Sequence, residues 1–166
     1  MYWPGEACDG KECSLPLGTT NIEENFFLHG LWPQLNANQN LFCCFYHNTI
    51  ENIEEQMMKD DELKIDILNN FMSIEKCRFA GYQFEKHGTC ALGEYNGENG
   101  ALNYFKVSIE LYKRFNIWTI FKESDLRVKT NKLIDINELK KVVEGVYGAK
   151  PSFVYKEKIY VNELRI

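Results

Sequence analysis

The chain has no apolar run approaching the length of a bilayer span, so a helix crossing a membrane is excluded. It is also short of positive charge. With 19 Lys and Arg against 24 Asp and Glu, the net charge is −5 and the pI about 5.3. That balance excludes a protein that grips nucleic acid by bulk charge. Near pH 5 the net charge approaches zero, and repulsion of a polyanion fades. Proline (4) and histidine (3) are scarce, and an N-x-[ST] sequon is absent. No basic and apolar leader precedes Met1-Tyr2-Trp3-Pro4, so the expectation is a leader already removed or a numbered fragment. Neither repeats nor low-complexity linkers interrupt the 166 residues, which predicts one domain over 1–166. Hydrophobic residues at 45% and aromatics at 14% exclude a disordered tail.

What the chain does have is six cysteines: Cys8, Cys13, Cys43, Cys44, Cys77 and Cys90. An even, dense set predicts three disulfides and the secretory pathway or the cell exterior. The rival reading is zinc, on the three-residue spacings Cys44/His47 and His87/Cys90. Adjacent Cys43-Cys44 lacks the usual C-x2-C clasp, so disulfides without a metal or other cofactor are the expectation.

The periodicities predict α+β. Residues 4–20 read as a cross-linked loop, Phe26, Leu28 and Leu31 as a buried strand stopped by Pro33, and 36–40 as a loop. Helical spacing runs through Thr49 to Lys59, 61–72 and 100–115. Asp135 and Glu138 form an N-terminal capping pattern for a helix carrying Leu139, Val142, Val143 and Val146. Phe153–Tyr155 and Ile159–Leu164 read as a hairpin.

Two histidines sit in unusual contexts. Phe27-Leu28-His29-Gly30-Leu31-Trp32-Pro33 sets an imidazole after apolar residues and before a glycine. In Tyr82-Gln83-Phe84-Glu85-Lys86-His87-Gly88-Thr89-Cys90, helical spacing puts Gln83 and His87 on one face, Lys86 beside them and Tyr82 one turn below. Singly, each is better read as a satisfied core histidine or a solvated charge pair. Together, two imidazoles and a lysine suit phosphodiester cleavage through the ribose 2′-hydroxyl. One imidazole removes the 2′ proton, the other protonates the leaving 5′ oxygen, and the lysine stabilises phosphoryl charge. His47 is read as structural.

His29-Gly30-Leu31-Trp32-Pro33 and Lys86-His87-Gly88-Thr89-Cys90 closely resemble the two active-site segments of the ribonuclease T2 family, about fifty-five residues apart. Trp3-Pro4 before Cys8, Ile109 to Tyr112, and Val146-Tyr147-Gly148 with Pro151 extend the similarity to nearly the whole chain. The resemblance implies a disulfide-bonded α+β endoribonuclease with a central antiparallel sheet and several packed helices. It would be secreted or lie in the lysosome or vacuole lumen, acting on single-stranded RNA and not DNA. It further implies His87 as base, His29 as acid, Lys86 on the phosphate, and Trp32 stacking on a base, with core packing the equal alternative for that indole. Phe79 matches an aromatic of a second base site, and Gln34 a position that often helps read the base. By the same resemblance Cys8 pairs with Cys13. Cys90 takes one of Cys43 and Cys44, and Cys77 takes the other.

The chain departs from the family pattern at Tyr82, Gln83 and Phe84, where His-Glu-Trp is common. Tyr82 donates a hydrogen bond but no imidazolium charge, and Gln83 loses a carboxylate. These changes predict an active enzyme slowed by about one or two orders of magnitude. The rival is a catalytically quiet relative serving as an RNA-binding or structural subunit. Relatives usually continue beyond Ile166 with a cysteine and more strand, so the expectation is either a chain truncated relative to the family or a partner chain covering an open sheet edge.

Overall fold

The computed structural model describes residues 1–4, 22–36, 39–72, 74, 77–91, 93–95, 97, 99–157 and 159–166. The predicted loop over 4–20 and its Cys8–Cys13 pairing lie almost wholly outside these residues.

Six α-helices carry the fold among the described residues: α1 (Ile50–Lys59), α2 (Asp61–Asn70), α3 (Phe79–Lys86), α4 (Gly100–Arg114), α5 (Ile117–Glu123) and α6 (Ile136–Tyr147). A short 3-10 turn, Gly88–Ala91, follows α3. Polar caps set the boundaries. Thr49 accepts from the Asn52 N–H at the start of α1. Asp60 ends α1 and starts α2, its carboxylate accepting from the Leu63 N–H at 3.0 Å. Asp135 caps α6 through the Asn137 N–H, whereas Glu138 pairs with Lys141 at 2.7 Å instead of completing a reciprocal box. Helix α5 was not foreseen from the sequence. It is seven residues long, capped by Asn116, and buries Ile117, Trp118 and Phe121.

Four short strands complete the set: β1 (Gln34–Asn36), β2 (Gln39–Asn40), β3 (Ser152–Lys156) and β4 (Tyr160–Arg165). β1 and β2 pair antiparallel, so Asn36, Gln39 and Asn40, expected in a loop, stand in paired strands instead. β3 and β4 form the predicted hairpin, with one register shift at Val154/Tyr155. Tyr2 bridges to Glu163 of β4 on one side and Phe27 on the other, so the antiparallel ladder runs Phe27, Tyr2, β4, β3.

Leu28 packs in a cluster with Ile53, Leu63, Phe84, Tyr104 and Phe105. Phe26 belongs to a second, with Trp118, Phe121, Val143, Phe153 and Leu164, and Phe27 to a third, with Tyr2, Met72 and Ile74. Three consecutive side chains thus plug into three cores. The predicted strand here is an extended segment with a single bridge, since its outward-facing groups go elsewhere: the Leu28 N–H donates to Asn70 O, and the Phe26 carbonyl accepts from the Tyr112 hydroxyl at 2.7 Å. The Tyr104 hydroxyl, from two turns earlier on α4, both donates to the Leu31 carbonyl (2.7 Å) and accepts from its N–H (3.3 Å). His29 therefore rides on backbone clamped on both sides.

Candidate active site

Helix α3 delivers the second histidine. It buries Ala80, Gln83 and Phe84, and its last turn closes with the His87 N–H donating to the Gln83 carbonyl at 2.9 Å. Gly88 follows because a β-carbon there would fall 2.4 Å from Phe84 Cδ2. Across the end of α3 runs a strap, residues 41–44. The Cys43 N–H donates to the Lys86 carbonyl (2.7 Å), the Leu41 carbonyl lies 3.2 Å from His87 Nδ1, and Cys44 is bonded to Cys90.

A carbonyl can only accept, so His87 Nδ1 bears the hydrogen and Nε2 the lone pair. Burial is the main reason this imidazole is held below its usual pKa, and the charges of Lys86, His29 and Arg165 push the same way against the Leu41 bond. His29 is set differently. Its Nδ1 is buried and faces Glu163 Oε1 at 3.4 Å, and its ring packs on Phe79 (5.6 Å, stacked) and Tyr2 (5.8 Å, edge-on).

Trp32 joins the two. Its ring stacks on His87 at 4.7 Å and meets His29 edge-on at 4.9 Å, while its indole N–H donates to Gln83 Oε1 at 3.1 Å. Gly30 makes room for this, since a β-carbon there would lie 2.7 Å from the indole nitrogen and 3.0 Å from Gln83 Oε1. The structure so brings His29, Trp32, Gln83 and His87 together. Lys86 is beside His87 in the chain and 5.6 Å from the Tyr82 ring. Gln34 lies on β1, exposed, donating to Asn40 Oδ1, and borders the same cleft as His29 and Trp32. Phe79 stands under His29 and against Tyr2 and Phe71.

Two site residues could not be picked out from the sequence. Glu163 is buried, 6% exposed, and Arg165 lies two residues on along β4. Alternation in β4 turns both to the face opposite Leu164. Arg165 Nε and Nη2 donate to Glu163 Oε1 and Oε2 (2.9 and 3.3 Å), and its guanidinium lies 4.8 Å over the Trp32 ring. Burial works to raise the Glu163 carboxyl, but the His29 and Arg165 hydrogen bonds and charges outweigh it and hold the group down to about 2. An ordinary E-x-R in an edge hairpin carries no signal that its backbone will bridge to Tyr2 and approach His29.

The sign of the resulting pH dependence is fixed. Glu163 lies near 4.5 when unfolded and about 2 when folded, so its stabilisation is complete above pH 4.5 and is lost as pH falls toward 2. Urea unfolding at pH 5 and pH 3 should show the wild type losing about 2 kcal/mol that Glu163→Gln does not lose.

The cysteines correct one expectation. Cys44–Cys90 is formed, with a Cα separation of 5.0 Å, but Cys43 and Cys77 are free, exposed thiols rather than a second bridge. Cys43 is hydrogen-bonded at the C-terminal end of α3, while Cys77 precedes its N-terminal end. The helix between them is about 12 Å long, beyond the reach of a disulfide. The same bond consumes one cysteine from each zinc pairing, Cys44/His47 and His87/Cys90. Among the described residues no cluster of three His, Cys, Asp or Glu is placed to hold a metal. Nor is any helix among them long and apolar enough to cross a membrane.

This arrangement presents two imidazoles in opposed settings on one indole, with cations at hand. The chain belongs to the Ribonuclease T2 family, which it matches over residues 1–166. It is 25% identical over 151 residues to Ribonuclease T2 of Danio rerio, covering 91% of this chain and 57% of that protein. It is 24% identical over 157 residues to Extracellular ribonuclease LE of Solanum lycopersicum, covering 91% and 64%. The chain thus spans less than two thirds of the length of these relatives. Its fold matches the solved structure of a ribonuclease MC1 mutant with a TM-score of 0.77 at 18% identity, over 98% of this chain and 83% of that one. The α+β, ribonuclease T2-like class expected from the sequence is therefore the fold of this protein.

Proposed function

We propose that the protein is an endoribonuclease cleaving single-stranded RNA by attack of the ribose 2′-hydroxyl on the adjacent phosphate, giving a 2′,3′-cyclic phosphate and a free 5′-hydroxyl. The observation that carries this reading is the contrast between the two imidazoles: Nδ1 faces a carbonyl in His87 and a carboxylate in His29. His87, with Nε2 unprotonated, takes the 2′ proton. His29, held by Glu163, delivers a proton from its opposite ring edge to the 5′ oxygen. Lys86 stabilises charge on the phosphoryl oxygens, and Tyr82 adds a neutral hydrogen bond. Gln83 positions Trp32, which spaces the two histidines, and Gln34 borders the base. The nucleophile is part of the substrate, so the step needs no metal and DNA is not cut.

The disulfide suits an oxidising compartment, the secretory lumen or the exterior. One relative bears the name of an extracellular ribonuclease.

Cleavage of a mixed-sequence RNA with chelator present, between about pH 4 and 8, tests the reading. The expected profile of kcat/KM is bell-shaped. Its acid limb, set by deprotonation of His87, has a midpoint below the ordinary 6.5, because that imidazole is held low. Cyclic ends from RNA alone support the mechanism, and abolition by chelator refutes it. A second reading, a relative that binds RNA without cutting it, rests on Tyr82 and Gln83 replacing charged family residues. It predicts binding with no product from the folded, disulfide-bonded protein.

A further inference from the structure

The second active-site segment carries a neutral tyrosine where the resemblance leads one to expect an imidazolium, which leaves Lys86 as its one fixed cation. The cleft nevertheless receives another cation, from a different part of the chain. Arg165 enters from β4, its side chain 44% exposed, lying over Trp32. A guanidinium has five N–H donors. Two of Arg165's go to Glu163, which fixes the plane of the fork, and among the described residues no hydrogen bond occupies the Nη1 end. Glu163 is buried against His29 and cannot turn away, so the fork is aimed by a rigid anchor rather than left to sample solvent. Arg165 borders the same cleft as His29, Trp32 and Gln34, a cavity of about 210 Å³.

We infer that Arg165 is a phosphate-binding residue of this cleft, standing in for the cation missing at Tyr82, and that Glu163 is its positioning residue. The ligand class is a single-stranded oligonucleotide phosphate, engaged by the free end of the fork. This rests on the proposed reading of the site as one for RNA. It extends that reading to a residue outside both active-site segments. A planar fork suits a phosphate better than a flexible ammonium would, and neither job needs Arg165 to lose its proton.

The test uses a 2′-O-methyl oligonucleotide, which presents phosphates but no nucleophile, and measures affinity against salt. On a single strand, every phosphate neutralised by the protein adds about 0.7 to the slope of log K on log salt. Arg165→Gln should lower the slope by about that amount and weaken binding most at low salt. Arg165→Lys should keep the slope, since the charge remains. Glu163→Gln should weaken binding although it removes a negative charge, because the fork loses its anchor. Lys141→Gln, the same charge change on remote α6, should leave the slope as in wild type. A wild-type slope in Arg165→Gln, an equal loss in Lys141→Gln, or no binding by the wild type overturns the inference. Cleavage of the matching ribo-oligonucleotide is read in parallel. A wild type that binds with an Arg165-dependent slope but makes no product refutes the nuclease reading and leaves the phosphate site standing.

Discussion

Alanine at position 87 should lower the cleavage rate by about 10²- to 10⁴-fold, the range over which a positioned general base acts. His87 is not an interchangeable cation. Its Nδ1 is committed to Leu41 and its ring is buried and stacked on Trp32, so its contribution is a free lone pair at Nε2. Alanine at position 29 should cost a similar factor on RNA, but the two losses separate when the leaving group is changed. With a nucleoside 3′-phosphodiester whose leaving group is a nitrophenol, the departing oxygen needs no proton. Most of the activity of His29→Ala should then return, while His87→Ala stays slow. Recovery of the His87 variant instead would exchange the two roles. Equal loss on both substrates would mean that the histidines only hold the site together. Product mass for the cyclic phosphate end and a 2′-deoxy control complete the measurement.

The parts of the molecule legible in the sequence were those whose signal is local. Thr49 and Asp60 cap α1 and α2 from positions where a polar side chain precedes a helical stripe, and the 153–164 hairpin follows from alternation across a polar turn. The two histidine segments were legible because each is contiguous. What was not legible depends on pairings between residues far apart in the chain. The run holding Phe26, Leu28 and Leu31 reads as one buried strand, but Phe26, Phe27 and Leu28 diverge into three cores whose other members come from all six helices, β3, β4, Tyr2 and the segment after α2. Glu163 reaches His29 only because Tyr2 lies between Phe27 and β4, a pairing that joins residues more than a hundred positions apart. The cysteine partners were unreadable for a related reason. Cys43 and Cys44 are neighbours, and only the strap over the end of α3 decides which of them meets Cys90.

That strap gives the second large effect. Cys44→Ala paired with Cys90→Ala opens a loop of 46 residues, for which chain entropy predicts a loss of about 2–4 kcal/mol. The consequence should not stop at stability. Leu41, three residues before Cys44, supplies the carbonyl that fixes the His87 tautomer, and the Cys43 N–H closes the same strap onto Lys86. Freed at Cys44, the strap is left to its hydrogen bonds, those two and the Leu41 N–H to the Pro33 carbonyl at 3.1 Å, so the partner that sets the His87 proton on Nδ1 is held less firmly. Activity at a temperature where the variant is still folded should therefore fall by about tenfold to a hundredfold, the scale of a misplaced catalytic group. Cys43→Ala separates the bond from the neighbourhood. It removes an exposed free thiol and leaves the backbone N–H in place, so both urea midpoint and rate should stay near wild type, within about 0.5 kcal/mol. If Cys43→Ala proves as costly as the double variant, Cys43 carries the bridge, and the pairing that orders the strap is the other one. If the double variant loses stability but keeps its full rate when folded, the His87 tautomer is held by burial and the Trp32 stack, without help from Leu41.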